Sequence, residues 1–289
     1  MLASVLVACS TPQTRIEALA IAHGLEPLVL TGGEFELRAY FKPSSTGDRA
    51  LRVYLEGDGT PWIGRGRVSS DPTPRHPLAL RLMIADPDPA LYLGRPCYHD
   101  RVDAGPCRPA LWTQARYSSL VVESMAAALR SFVIAHDVER LTLIGYSGGG
   151  VLAWLLAERL PDVDRLVTIA ANLDIDAWTD RHGYSRLTHS LNPATGPPLP
   201  DGIEQIHLVG SRDTNVPVEI LASLPMQAST RAAILVLEAD HGCCWDTMWP
   251  TLLARLDALA FSEPGSLVSA TGRNTPRPST SRSADPISR

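Results

Sequence analysis

The sequence predicts an α/β protein built on a mainly parallel central sheet that is covered by helices on both faces. Segments of strand length alternate with segments of helical spacing along most of the chain, and this alternation is typical of parallel sheets. The first predicted strands have no helix between them, so we expect the sheet to begin with antiparallel pairing. The 289 residues can form one large core, and we assign residues 15–261 to a single domain.

Apolar spacing and turn residues predict the elements of the first half. Gly24 ends a short helix, and Gly32-Gly33 is a plausible hairpin turn before an alternating strand. The clearest helix repeats apolar side chains at intervals of four, three and four, which places Val121, Met125, Ala128 and Phe132 on one face. The predicted elements are helices 15–23, 77–85 and 117–135 and strands 34–41, 51–55 and 91–93.

The second half repeats the order of strand and helix. Its predicted strands are 141–144, 163–170, 203–209 and 232–237, and its predicted helices are an apolar run from Val151, a short helix at 217–224 and a last helix at 245–259. The mixed, proline-containing segment 172–200 is interpreted as a small cap insertion over the sheet edge. Residues 262–289 are predicted to form a disordered tail, because Ser, Thr, Pro, Gly and Arg dominate there.

Composition limits the partners of the chain. Hydrophobic residues make up 45% of it, charged residues 20%, and the formal net charge is −5. A negatively charged chain without a run of lysine and arginine is suited neither to nucleic acid nor to a polybasic membrane contact. We therefore expect no nucleic-acid partner, and no obligate protein partner is evident.

A serine framed by glycines stands between strand 141–144 and the helix that follows. The segment Gly145-Tyr146-Ser147-Gly148-Gly149 has the pattern Gly-x-Ser-x-Gly, which indicates a nucleophile on a strained turn when strand, turn and helix surround it. Side chains at Gly145 and Gly149 would collide with the neighbouring strand and helix. The alternative is an ordinary glycine-rich turn, including one that cradles a phosphate.

A serine hydroxyl needs a base, and the base needs an orienting carboxylate. Loops after two later strands supply both groups in the expected order, with Asp213 in segment 210–217 and His241 in Asp240-His241-Gly242. A third loop, Glu56-Gly57-Asp58-Gly59-Thr60-Pro61-Trp62, follows an early strand and contains paired glycines.

These motifs resemble those of the α/β-hydrolase superfamily, and in particular its bacterial lipoprotein members. The matching pieces are 145–149, Gly-x-x-Asp-x-x-Val-Pro at 210–217, and 240–242, and the resemblance covers about 34–259. It implies an α/β-hydrolase fold with Ser147 as the nucleophile, His241 as the base and Asp213 as the orienting acid.

The same resemblance implies an oxyanion hole. Its donors map to the backbone N–H of Gly148 and of Asp58 or Gly59. Glu56 departs from the family pattern, because many esterases carry histidine before this glycine. A backbone donor does not need that side chain, so the departure leaves the subfamily open.

Other residues compete for the acid and the base. Asp213 could simply cap the helix at 217 or close an Asx turn, and Asp174, Asp176 and Asp180 are rival acids. The rival bases are His23, His76, His99, His136, His182, His189 and His207. Of these, His207 is interpreted as structural because it lies inside a predicted strand, and the cap residues His182 and His189 would meet only substrate. No histidine pair has metal-ligand spacing on one helix face, so we predict neither a metal nor another cofactor.

The amino terminus bears on the compartment. Residues 1–8 are apolar, and Leu6-Val7-Ala8-Cys9 resembles the lipobox of bacterial lipoproteins, which implies lipidation of Cys9. The segment is too short to span a bilayer and lacks a basic region, so we interpret 1–14 as a truncated signal and tail. The alternative is an apolar terminus with an incidental cysteine.

Five cysteines favour an oxidising compartment, and we expect a cell-envelope or periplasmic protein. Cys97 and Cys107 enclose a short loop that a disulfide would close easily. Cys243 and Cys244 are adjacent, and a bond between them would be strained because neighbouring Cα atoms lie about 3.8 Å apart. Either could instead pair with Cys97 or Cys107, and four reduced cysteines in a cytosolic enzyme remain an alternative.

The expected activity is hydrolysis of a small-molecule ester or related acyl bond through an acyl-enzyme. The second hypothesis is a non-catalytic α/β-hydrolase fold that binds a ligand. Nucleotide binding at Gly148-Gly149-Gly150 is a weaker hypothesis, because the sequence lacks both G-x-G-x-x-G and the P-loop lysine.

Overall fold

A computed structural model describes residues 11–258, apart from 45, 46, 48, 65, 104 and 226–230. Cys9, the predicted signal segment before residue 11 and the predicted tail 262–289 lie outside the described residues.

The described residues form ten strands, eight of which build one central sheet. The strands are β1 (Glu26–Gly32), β2 (Phe35–Lys42), β3 (Ala50–Leu55), β4 (Trp62–Ile63), β5 (Arg67–Val68), β6 (Ala90–Leu93), β7 (Arg140–Tyr146), β8 (Val163–Ile169), β9 (Glu204–Gly210) and β10 (Ala232–Leu237). The order across the sheet is β1-β2-β6-β3-β7-β8-β9-β10, while β4 and β5 pair as a small separate hairpin. The strand β2 runs antiparallel to β1 and β6, and the pairs from β6 to β10 are parallel. The predicted parallel sheet with an antiparallel start is confirmed.

The α-helices are α1 (Pro12–Ala22), α2 (Leu78–Ala85), α3 (Ser119–Ala135), α4 (Gly148–Ala157), α5 (Ile175–His182) and α6 (Trp245–Ala258). Helix α1 begins at Pro12 rather than at Arg15, because Thr11 caps it by accepting from the Thr14 N–H and proline fits the first helical turn. The helix predicted at 217–224 is a single 3-10 turn at Val218–Leu221. No helix of the described part is both long and apolar enough to cross a membrane.

Alternate side chains along the strands pack into two separate cores, one on each face of the sheet. In β3, Leu51, Val53 and Leu55 pack with α3 and α4, whereas Tyr54 points to the other face and packs with α1, α2 and α6. This period of two is what a strand buried on both faces requires. Both faces of the sheet are therefore covered by helices, as the sequence predicts.

The predicted cap segment is packed onto the α3–α4 side of the sheet. It contains α5 and a 3-10 turn at Pro193–Thr195, and it buries Leu173, Ile175, Leu187 and Leu199 in that core. Trp178 of α5 donates its indole N–H to Asn215 Oδ1 at 3.2 Å. Helix α5 therefore lies beside the loop that contains Asp213.

Candidate active site

Ser147 occupies the tight turn between β7 and α4. Its φ of 50° lies in the left-handed region, which is uncommon for a residue with a side chain. The turn is fixed by hydrogen bonds from the Ser147 N–H to Ile169 O and from the Gly150 N–H to Ser147 O, both at 2.8 Å. Strand β7 lies in the middle of the sheet, so this turn presents Ser147 at its carboxyl edge.

The glycines around Ser147 are required by close backbone contacts. A Cβ on Gly145 would lie 2.3 Å from Gly149 O, and a Cβ on Gly149 would lie 2.2 Å from Leu55 O. Both distances are far inside van der Waals contact with backbone, which cannot move away easily. The predicted steric role of both glycines agrees with this geometry.

Ser147, His241 and Asp213 form a continuous chain of hydrogen bonds. The His241 Nε2 lies 3.1 Å from Ser147 Oγ, and its Nδ1 lies 2.9 Å from Asp213 Oδ2. The carboxylate of Asp213 is buried, while a quarter of the His241 side chain is exposed. The three predicted residues thus meet in the order Ser147, His241 and Asp213 at hydrogen-bond distance, although 66 positions separate Ser147 from Asp213 and 28 separate Asp213 from His241.

Asp213 also closes an Asx turn, which is the structural role considered as an alternative for it. Its Oδ1 accepts hydrogen bonds from the backbone N–H of Asn215 and of Val216, both at 2.8 Å. One oxygen is thus used by the Asx turn and the other by His241. The two interpretations of Asp213 are compatible, because each uses a different oxygen.

The loop that presents His241 is held from both sides. The Tyr146 hydroxyl donates to His241 O at 3.1 Å, and the Trp245 indole N–H lies 3.0 Å from Asp240 O and 3.1 Å from His241 O. Asp240 Oδ1 accepts from the N–H groups of Gly242 and Cys243. The imidazole therefore sits on a loop whose backbone has several fixed contacts.

The rival acids have other partners. Asp174 caps α5 by accepting from the N–H groups of Asp176 and Ala177, and both Asp176 and Asp180 pair with Arg186. These bonds account for all three carboxylates within the cap segment.

Most of the rival histidines also have local partners. His99 Nδ1 lies 2.8 Å from Gln13 Oε1, His207 Nδ1 lies 2.8 Å from Thr168 Oγ1, and burial lowers the pKa of His99 to about 3 and that of His207 to about 4. His182 Nε2 lies 2.7 Å from Asn215 O. His23 bonds Leu19 O, His136 stacks on Phe132, and His76 and His189 are exposed. Of the eight histidines, His241 alone is bonded to Ser147 in the described residues.

The loop after β3 passes directly over the turn that holds Ser147. A Cβ on Gly57 would lie 3.5 Å from Ser147 Cβ, and a Cβ on Gly148 would lie 2.0 Å from Asp58 Oδ1. Gly59, with a φ of 66°, packs instead against Pro72 O, which a Cβ there would approach to 2.1 Å. The predicted donor residues Gly148 and Asp58 are therefore adjacent, while Gly59 turns towards the segment around Pro72.

Sequence reasoning missed a buried charged cluster around Asp58. Its carboxylate contacts Arg95 Nη1 at 2.8 Å, Arg116 Nη1 at 2.7 Å and the Tyr117 hydroxyl at 2.7 and 2.8 Å. Burial alone would raise the pKa of Asp58, but the guanidinium groups of Arg116 and Arg95 lower it to about 2. One signal was available, because Arg95 follows a strand that ends at the same edge of the sheet.

Glu56, which departs from the family pattern, is buried beside helix α2. Its carboxyl oxygens accept from the N–H groups of Gly57 at 3.2 Å and Ala79 at 3.0 Å. Burial raises the pKa of Glu56 to about 7, although these backbone donors act in the opposite direction. The side chain joins the loop after β3 to the first turn of α2.

Two disulfides lie near this edge. The predicted Cys97–Cys107 bond is present, with Cα atoms 5.5 Å apart. Cys243 and Cys244 are bonded to each other rather than to the other pair, and Cys244 adopts a φ of 83°. Their Cα atoms lie 3.7 Å apart, as across any trans peptide, and the bond is present with Cys244 in the left-handed region that residues with a side chain rarely adopt.

Within the described ranges, no group of three or more His, Cys, Asp or Glu side chains is arranged to hold a metal ion.

No protein-family model matches the chain, and no curated protein matches it. Solved structures do match. A protein of unknown function from Agrobacterium tumefaciens, described as an α/β hydrolase, is 16% identical with a TM-score of 0.56 over 83% of this chain and 100% of its own. An esterase from Pyrococcus furiosus is 13% identical, with a TM-score of 0.55 over 81% of this chain and 88% of its own.

A bacterial membrane phospholipase A gives a similar result. It is 16% identical, with a TM-score of 0.52 over 87% of this chain and 93% of its own. Identities this low establish the fold alone. The chain has the α/β-hydrolase fold that the motifs imply.

Proposed function

We propose that the protein is a serine hydrolase that cleaves a carboxylic ester or a related acyl bond. The observation that carries the proposal is the hydrogen-bond chain from Ser147 through His241 to Asp213, which begins on the strained turn after β7. A serine in a purely structural turn does not need a buried carboxylate behind its histidine partner.

Each of the three groups has one role in the proposed reaction. Ser147 Oγ attacks the carbonyl carbon while His241 Nε2 takes its proton, and Asp213 stabilises the imidazolium through Nδ1–H. Collapse of the tetrahedral intermediate expels the alcohol, which takes the proton back from His241. Water then repeats the sequence on the acyl-enzyme and releases the acid, so the enzyme returns to its first state.

Backbone N–H groups would stabilise the oxyanion. Gly148 lies at the first turn of α4, where N–H groups are unpaired within the helix and the helix dipole favours negative charge. Asp58 lies next to it across the turn. These two residues supply the pair of donors that acyl transfer needs.

An ester is the preferred substrate class. Two of the matching structures are named for ester cleavage, an esterase and a phospholipase A, and both share this fold. This support is at the level of the fold. A panel of substrates is needed to identify the acyl chain and the leaving group.

The test is hydrolysis of p-nitrophenyl acetate, butyrate and octanoate by the full chain. We expect Ser147→Ala to lower the rate by at least about 10³-fold, because the nucleophile is removed. Ser131→Ala is the matched control, since Ser131 lies on the exposed side of α3, where its hydroxyl donates to Ala127 O. Undiminished hydrolysis by Ser147→Ala would refute the assignment, and a folded wild type that is inert to esters, amides and thioesters would favour the ligand-binding hypothesis.

We also propose that the enzyme works in the cell envelope, anchored through lipidated Cys9. The support is the lipobox-like Leu6-Val7-Ala8-Cys9 together with the two disulfides, which are typical of oxidising compartments. After metabolic labelling of bacteria with a fatty-acid probe, we expect labelled protein in the membrane fraction. The Cys9→Ser variant should carry no label. Equal labelling of Cys9→Ser, or none in either protein, would contradict the anchor.

A further inference from the structure

We propose that Arg95, Arg116 and Tyr117 are positioning residues that hold the Asp58 carboxylate, and with it the loop after β3, so that the Asp58 N–H points at the oxyanion. The inference deepens the proposed function and rests on it. Its subject is the charged cluster around Asp58, in which none of the three residues belongs to the Ser147–His241–Asp213 chain.

The cluster fixes the loop at more than one atom. Arg95 donates through Nη1 to Asp58 Oδ1 at 2.8 Å and through Nη2 to Glu56 O at 2.9 Å, so one guanidinium bridges both ends of Glu56-Gly57-Asp58. The Tyr98 hydroxyl donates to Asp58 O at 3.1 Å. Both the side chain and the carbonyl of Asp58 are thereby tied to the segment after β6.

The second arginine is itself held in place. Arg116 donates through Nε to Thr113 O at 2.7 Å and through Nη1 to Asp58 Oδ2 at 2.7 Å. Arg95 lies under the rings of Tyr98 and Tyr117, with its guanidinium carbon 5.6 and 5.7 Å from their centroids. Arg95 and Arg116 are 4% and 6% exposed, so neither can reach solvent to find another partner.

The cluster is in direct contact with the turn of the proposed nucleophile. The Asp58 carboxylate and the Tyr117 hydroxyl both cover the Cα of Gly148, where a Cβ would lie 2.0 and 2.4 Å from them. A displacement of Asp58 would therefore move the loop relative to Gly148, the other proposed donor. Such a displacement should lower the reaction rate strongly, because hydrogen-bond donors stabilise the transition state only when they point at the developing charge.

The charge of the cluster is also suited to the site. A lone carboxylate beside an oxyanion would oppose its formation by like-charge repulsion. Two guanidinium groups and one carboxylate give the cluster a formal charge of +1. The arginines thus allow a carboxylate to anchor the loop without placing net negative charge near the reacting carbonyl.

Stability alone is a weak reason for such a cluster. Buried ion pairs lose solvation when the chain folds, and apolar side chains of similar volume often give equal stability. A group of ion pairs whose bonds converge on one loop beside the nucleophile is better explained by a need for fixed geometry.

The test compares Tyr117→Phe with Tyr40→Phe. Both tyrosines are fully buried and lose their hydroxyl group, but the Tyr117 hydroxyl donates to the Asp58 carboxylate, whereas the Tyr40 hydroxyl accepts from Gln13 on the opposite face of the sheet. We expect Tyr117→Phe to lower kcat by about tenfold with KM within about twofold, since only the transition state uses the donor. An alkyl boronic acid, which forms a tetrahedral adduct with serine, should bind Tyr117→Phe more weakly by a similar factor. Tyr40→Phe should change neither quantity.

A second variant and a structure keep the test decisive. If Tyr117→Phe fails to fold, Tyr98→Phe removes the bond to Asp58 O and should lower kcat in the same way. A crystal structure of the boronic-acid adduct should place one boronate oxygen within hydrogen-bond distance of Asp58 N.

Two results would overturn the proposal. One is a Tyr117→Phe protein that melts lower, as Tyr40→Phe does, yet keeps kcat and boronate affinity within about twofold of wild type. The other is a boronate oxygen bound to Gly59 N instead of Asp58 N. A wild type that neither hydrolyses esters nor binds the boronic acid refutes the proposed function itself, so the two failures are distinguishable.

Discussion

Asp213 shows how one side chain can support both a turn and the proposed reaction. Oδ1 accepts from the N–H groups of Asn215 and Val216, which fixes the carboxylate in direction, and Oδ2 faces His241. The Asx turn therefore orients the acid, and the acid orients the imidazole. A carboxylate without such a turn would have to be held by packing alone.

Asp213→Asn should lower kcat by about 10³- to 10⁴-fold with little change in KM, because an amide N–H donated to Nδ1 would select the wrong imidazole tautomer. The measurement is steady-state hydrolysis of the best p-nitrophenyl ester. Asp180→Asn is the matched control, since Asp180 is exposed and pairs with Arg186 in the cap segment. A loss in Asp180→Asn that equals the loss in Asp213→Asn would contradict the assignment.

Glu56 should make the stability of the protein depend on pH. Its pKa in the folded state, about 7, lies above the value of 4.5 for an exposed glutamate, so the folded state binds the proton more tightly. This contribution is fully present below about pH 4.5 and is lost as the pH rises through 7. The full difference corresponds to roughly 3 kcal/mol.

Glu56→Gln, which cannot ionise, should remove this dependence. The difference in melting temperature, variant minus wild type, should increase from pH 5 to pH 8. The control Glu34→Gln, at an exposed position, should give the same difference at every pH. The slope with pH is the readout, because the amide also changes the bonds to Gly57 and Ala79 at every pH. Parallel curves for wild type and Glu56→Gln would show that Glu56 ionises freely in the fold.

At the scale of elements, the turn between β7 and α4 depends on glycines that no other residue can replace. Gly149→Ala would force a methyl group to within 2.2 Å of Leu55 O, so we expect insoluble protein or a loss of more than about 3 kcal/mol in the free energy of unfolding. Gly242→Ala is the control, because nothing lies within 4 Å of its Cβ position. Chemical denaturation distinguishes them, and a Gly149→Ala protein as stable as Gly242→Ala would contradict the described packing.

The two disulfides should differ in their effect on stability. Cys97 and Cys107 are separated by 10 positions, so their bond restricts the unfolded chain and its removal by a double substitution to alanine should cost about 2–3 kcal/mol. The bond between Cys243 and Cys244 joins neighbours and closes almost no chain, so the same double substitution there should cost less. Equal losses in urea denaturation would contradict this loop-length argument.

At the scale of the whole molecule, the convergence of Ser147, Asp213 and His241 was predictable from topology. Each follows a strand of a parallel sheet, β7, β9 or β10, and parallel strands end at the same edge. The alternation of strands and helices predicts the sheet, and the motifs then place the groups on it. The same argument would have directed attention to Arg95, which follows β6.

Other features leave no periodic signal in the sequence. The hairpin β4–β5 has two residues in each strand, too few to show a period. In β1 the inward-facing Leu28 and Leu30 flank Val29, which is equally apolar but exposed, so the sequence shows no alternation there. Arg116 and Tyr117 lie in the turn before α3 and reach Asp58 across 58 and 59 positions. Contacts of this kind depend on the final packing, and no local pattern indicates them.

The most direct test of the proposed function is the site of covalent labelling by a fluorophosphonate. The full chain is treated with the probe, digested and analysed by mass spectrometry, with Ser147→Ala and the heat-denatured wild type as controls. A nucleophile activated by His241 predicts one adduct, on the peptide that contains Ser147, and none in either control. An adduct on another residue, or labelling of Ser147→Ala equal to that of wild type, would contradict the assignment of Ser147 as the nucleophile.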